Sequence, residues 1–91
     1  MLTVQDLRAY LRLTSDKLDQ EIQDTMDAAK LDLASAGMND VDNALVDMAI
    51  KLYARWKFNY ADKADQYRRD YQELKAALAL VYPQGEEDQN V

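Results

Sequence analysis

Apolar residues recur along this chain at helical spacing, in four separate runs. Thr3 with Asp6 three positions on forms a capping-box variant, and Leu2 and Leu7 occupy the staple positions around it. Val4, Leu7 and Leu11 then share one narrow stripe, which predicts a short helix over about residues 4–12, with Leu13 off the stripe. The polar stretch Thr14-Ser15-Asp16 supplies the next cap. A second helix is expected over about residues 17–36, closed by a left-handed Gly37. Its buried face is Leu18, Ile22, Met26, Ala29 and Leu33, and its opposite face carries Asp24, Asp27 and Leu31.

The third run starts near Asp40 or Asp42 and continues to about Asn59. Val41, Leu45, Met48, Ala49, Leu52, Tyr53 and Trp56 share a face that Val46 and Ile50 widen to about half the circumference. Asp47, Lys51 and Arg55 remain as a polar strip with good intrahelical pairing geometry. A helix apolar over so wide an arc packs on two sides, so the third helix is expected at the centre of the bundle. The fourth, about residues 61–81, has a tighter period. Tyr60, Ala64, Tyr67, Tyr71, Leu74, Leu78 and Val81 alternate steps of four and three, a heptad seam. Pro83 and Gly85 end it. The expected architecture is therefore all-α: a small bundle of about four helices in one domain over residues 1–82, followed by an acidic flexible tail at 83–91.

Composition narrows the chemistry. Two glycines and one proline in 91 residues argue against a turn-rich β fold. Zero cysteines exclude disulfides and thiolate chemistry, and zero histidines remove the commonest metal ligand and general base. No apolar run is long enough for a membrane span, and the first residues do not read as a secretory signal. The expectation is a soluble cytosolic domain without catalytic residues, cofactor or metal. Asp40-Val41-Asp42-Asn43 looks like the start of a calcium loop but lacks the glycine and glutamate that such a loop requires. It reads instead as helix-capping carboxylates.

The net charge of −6 is unevenly spread. Residues 1–47 hold four basic against ten acidic side chains, residues 48–82 seven against four, and the tail adds Glu86, Glu87 and Asp88. Such polarity concerns association rather than fold. The basic half is interrupted by Asp62, Asp65, Asp70 and Glu73, and the isoelectric point is about 4.4. Both weigh against a DNA-gripping helix-turn-helix. Six tyrosines and one tryptophan suit association surfaces. Tyr53 and Trp56 are assigned to the core, while Tyr60, Tyr71 and Tyr82 are left between core and surface. The core set expected from the pattern begins with Leu7, Leu11, Ile22, Met26, Leu33 and Leu45. Met48, Leu52, Tyr53, Trp56, Leu74 and Leu78 complete it.

The order of these elements resembles a known family. The capped opening LTVQDLRAYLRL is followed by the polar hinge TSDKLDQEI and an acidic helix with Ala28-Ala29. A short glycine-containing break then leads into ALVDMAIKLYARWKFN, which ends in aromatic and basic residues. This layout is similar to the small head–tail connector proteins of tailed bacteriophages and prophages, also called adaptor or head-completion proteins. The closest parts are Thr3 to Leu13 and Tyr53 to Tyr60; many relatives carry a proline ahead of the third helix, which this chain lacks. The resemblance implies a virion protein at the head–tail interface, made in the host cytoplasm, with no enzymatic role. It implies a ring homo-oligomer, dodecameric in the virion, that contacts the portal protein and a stopper or tail-completion protein, with DNA only passing through. A subunit interface follows from the charge map: Asp24, Asp27 and Leu31 on one copy against Lys63, Arg68, Arg69 and Lys75 on the next, with Tyr71 in the desolvated centre. The alternative is a small acidic helical regulator, of antitoxin or anti-activator type, that masks a basic partner.

Overall fold

A computed structural model describes residues 2–38 and 44–81 of the chain. Those residues form four α-helices and no strand: α1 (Val4–Tyr10), α2 (Asp19–Ala34), α3 (Ala44–Lys57) and α4 (Ala64–Val81). A single 3-10 turn, Tyr60–Asp62, separates α3 from α4. The predicted start of the third helix, the Asp40–Asn43 stretch, Tyr82 and the acidic tail lie outside the described residues.

Local chemistry explains the helix limits. Thr3 Oγ1 accepts from the Asp6 backbone N–H at 3.1 Å, and Asp6 Oδ2 accepts from the Thr3 N–H at 3.0 Å, so the capping box is closed in both directions. The bonds from the Thr3 backbone and hydroxyl hold the Asp6 carboxyl below the usual carboxylate range. α1 ends two residues earlier than its stripe suggests because Arg12 turns left-handed, at φ 58°. The Leu13 N–H then reaches the Arg8 carbonyl at 2.9 Å and the Arg12 N–H reaches Ala9 at 3.0 Å, which is a Schellman closure with arginine where glycine is usual. The same closure ends α2, now with Gly37 at φ 101°. Met38 N–H bonds Leu33 at 3.1 Å and Gly37 N–H bonds Ala34 at 3.0 Å, and both Leu33 and Met38 are buried.

α3 packs against α1, α2 and α4, most extensively on α4, so it occupies the middle of the bundle. The core is continuous. Leu7 and Leu11 of the α1 segment meet Ile22, Met26, Ala29 and Leu33 of α2, with α3 and α4 closing over them. Arg8 and Asp19 tie α1 to α2 through a two-pronged ion pair, with Arg8 Nε donating to Asp19 Oδ1 at 3.0 Å and Nη2 donating to Oδ2.

The buried face of α3 is rotated from the predicted one. Leu45 and Met48, expected in the core, are 46% and 52% exposed, whereas Val46, Ala49, Ile50 and Ala54 are buried. Leu52, Tyr53 and Trp56 are half-buried against the core edge. The alanines account for the rotation. Ala49 and Ala54 leave room for neighbouring helices to approach closely, so α3 turns the flank of Val46, Ala49, Ile50 and Ala54 inward and leaves Leu45 and Met48 outside. α4 likewise begins three residues later than expected, because Ala61 and Asp62 are left-handed, at φ 55° and 59°.

Candidate association surfaces

Arg55 is the most heavily engaged polar side chain among the described residues. It was expected on the solvated strip of α3, but its guanidinium lies between two tyrosines instead. Its Cζ sits 3.7 Å from the Tyr10 ring centroid and 4.1 Å from that of Tyr60, with Tyr67 at 5.5 Å. Nη2 donates to the Tyr10 backbone carbonyl at 2.9 Å and Nη1 to the Tyr67 hydroxyl at 3.3 Å, while the buried Nε has no partner. One side chain thus joins the end of α1, the α3–α4 turn and the first turns of α4. Period reasoning missed it because a polar residue at a polar position gives no inward signal. The tyrosines five and twelve positions on were the available clue.

A second polar knot sits where α2 crosses α4. Asp32 accepts from the Tyr71 hydroxyl and from Lys75 Nζ, the latter at 2.9 Å. Burial works against the Asp32 charge, but these two donors outweigh it and hold the carboxyl below its usual range. Burial first, and the Asp32 bond second, push the Tyr71 hydroxyl far above an ordinary tyrosine. Tyr53 and Trp56 pack on the Tyr71 ring at centroid distances of 5.1 and 6.0 Å. Burial also raises Tyr53, with the Asp32 charge adding to it.

This knot corrects two of the interface assignments. Tyr71 is only 1% exposed and so cannot be the centre of a contact between subunits. Lys75 is half-buried and spends its charge on Asp32 within the chain. The other six face outward. Asp24 and Asp27 are exposed on α2, each accepting from a glutamine one turn back: Gln20 at 2.9 Å and Gln23 at 3.0 Å. Leu31 is 74% exposed beside them. Lys63, Arg68 and Arg69 are exposed, and neither arginine is in an ion pair with a described residue. Leu80, which the sequence reading did not single out, is 83% exposed. It follows Arg69 and Ala76 at helical spacing on the same face of α4.

An open groove of about 530 Å³ between α1 and α3 is lined by Leu2, Asp6, Ala9, Tyr10, Asp47 and Lys51. Two of its polar groups are engaged: Asp6 caps α1, and Lys51 Nζ lies 5.4 Å from the Tyr10 ring. Among the described residues no group of acidic side chains is placed to hold a metal ion, and no helix is long and apolar enough to cross a membrane. Comparison with protein-family models, with curated proteins and with solved structures finds no match to this chain.

Proposed function

We propose that this chain is a structural subunit of the head–tail connector class, which forms a ring beneath the portal, extends the DNA channel and presents a platform to a stopper or tail-completion protein. The observation that carries the reading is the pair of oppositely charged exposed strips on different helices. Asp24 and Asp27 lie on α2; Arg68 and Arg69 lie on α4. A ring needs a heterologous interface, in which two different surfaces of one subunit meet on neighbouring copies. With Tyr71 withdrawn into the core, the exposed apolar residues on these faces are Leu31, one turn beyond Asp27, and Leu80, three turns beyond Arg69. Rim charge pairs contribute only about 0.2–1 kcal/mol each, so they set orientation more than affinity. Isolated subunits then stay largely monomeric until a portal template concentrates them. The net acidity suits a channel wall, because a surface that attracted phosphate would retard DNA.

The test is native mass spectrometry and electron microscopy of the chain with and without a portal ring. Reversing Arg68 and Arg69 to glutamate abolishes ring formation, and adding Asp24→Lys with Asp27→Lys partly restores it. Rings that form normally in the double reversal refute the interface. A chain that joins neither itself nor portal, and instead forms a stoichiometric complex with one basic protein, refutes the connector reading.

A further inference from the structure

The turn between α3 and α4 contains no glycine, yet Asn59, Ala61 and Asp62 all adopt left-handed backbone, at φ 49°, 55° and 59°. Asn59 compensates in part. Its Oδ1 accepts from the Ala64 N–H at 3.2 Å and its Nδ2 donates to Asp62 Oδ1 at 3.2 Å. Ala61 has no side-chain group with which to do the same. Its methyl group is strained in this region, where only glycine is unpenalised.

The sequence across the turn tells the same story from a different direction. From Val46 one row of buried and half-buried positions on α3, beside the buried Ile50 and Ala54, continues as Ala49, Tyr53 and Trp56. The seam of α4 follows as Tyr60, Ala64, Tyr67, Tyr71, Leu74 and Leu78. Every step across both helices and the turn is three or four residues. A hairpin imposes no phase relation between its two arms. A single straight helix does. No glycine or proline interrupts residues 38–82.

We propose that the α3–α4 hairpin can open into one continuous helix over residues 44–81 and exchange α4 with a second copy of this chain. In the exchanged dimer each α4 packs on the partner's α3 through the contacts that it makes within one chain here, and the strain at Ala61 is released. The Arg55–Tyr60–Tyr67 cluster spans the turn and is the latch that keeps the monomer closed. The exchange is two-fold and closed, unlike the ring proposed above, and does not rest on it.

The chain has no cysteine, so paired spin labels can be placed cleanly at Met48→Cys and Ala77→Cys, both exposed. In the closed hairpin these positions lie on adjacent antiparallel helices, within about 20 Å. In the straight helix they are about 44 Å apart at the helical rise. The full-length labelled chain, diluted into excess unlabelled chain at raised concentration, is separated into monomer and dimer. The monomer fraction should give the short distance and the dimer fraction the long one. Ala61→Gly, which fits the turn and disfavours the straight helix, should weaken the dimer by at least tenfold while leaving the monomer folded. Arg55→Lys should enrich the dimer. A chain that stays monomeric throughout, a dimer showing only the short distance, or a dimer indifferent to Ala61→Gly overturns the proposal.

Discussion

Replacing Arg55 with leucine tests the packing logic of the molecule at one atom cluster. The substitution keeps an apolar stem but removes the guanidinium from between Tyr10 and Tyr60. Two facing rings at partly exposed positions contribute about 0.5–1 kcal/mol each. The bond to the Tyr10 carbonyl adds about 1.5 kcal/mol, since its donor is charged and the carbonyl closes α1. The unpartnered Nε works the other way, because leucine no longer buries a polar atom without a partner. The net loss should be about 2 kcal/mol. A domain of this size has a total stability of roughly 5–13 kcal/mol, so the loss is a large fraction. Urea unfolding followed by Trp56 fluorescence reads it as a midpoint about 1–2 M lower at unchanged slope. Arg55→Lys should recover about half, because it restores charge without the planar fork. A double-mutant cycle with Tyr60→Leu should show coupling of about 0.5–1 kcal/mol. A leucine variant whose midpoint matches wild type would mean that the tyrosines merely surround the arginine, and the latch would have no energetic content.

Four further outcomes can be checked on the same apparatus. Arg12→Gly should raise stability by about 0.5–1 kcal/mol, because the Schellman position is left-handed and the arginine carries a Cβ there; a loss on thermal melting would contradict this. Ile50→Ala should cost about 2–4 kcal/mol, whereas Leu45→Gln and Met48→Gln should each stay within about 1 kcal/mol of wild type, and the reverse ranking would restore the face first expected. The depressed Asp32 carboxyl contributes stability that is present above the unfolded carboxylate pKa and lost as pH falls through its lower folded value, so acid unfolding below about pH 4 should be shallower in Tyr71→Phe. The raised Tyr71 hydroxyl has the opposite sense: its stabilisation is complete below the ordinary tyrosine pKa and is lost above it. Alkaline absorbance titration should therefore show Tyr71→Phe removing tyrosinate signal only from the latest-ionising fraction.

Helices with one dry face were legible from the sequence because their signal is periodic. Ile22, Met26, Ala29 and Leu33 repeat at helical spacing and are all buried, and the capping residues of α1 and the glycine closing α2 are where local chemistry placed them. α3 was harder. Its apolar arc is wider than any one neighbour can cover, so period alone could not say which flank turns inward, and the deciding residues were alanines with little weight in a hydrophobic pattern. The α3–α4 turn was illegible for the opposite reason. The helical phase runs straight through it, and no glycine or proline marks where Asn59, Ala61 and Asp62 leave the helical path. For the candidate surface, Asp24, Asp27, Arg68 and Arg69 were readable as exposed because they lie off the apolar stripes of their helices. Tyr71 and Lys75 were not, because their partner Asp32 lies on a different helix, and no spacing along the chain connects residue 32 to residues 71 and 75.

That contact also works as a gauge of axial position. The α4 seam is built from similar residues repeated every three or four places, and a repeating apolar surface tolerates sliding by one turn at small cost. Asp32 does not. It accepts from two donors one turn apart, the Tyr71 hydroxyl and the Lys75 ammonium. Slip α4 by one turn toward its C-terminus, and the carboxylate faces Tyr67 and Tyr71, with no cation. Slip it the other way, and it faces Lys75 and Ala79, with one donor missing. A single half-buried acid therefore selects one of several near-equivalent settings of α4. The same selection would hold if that helix were supplied by another copy of the chain.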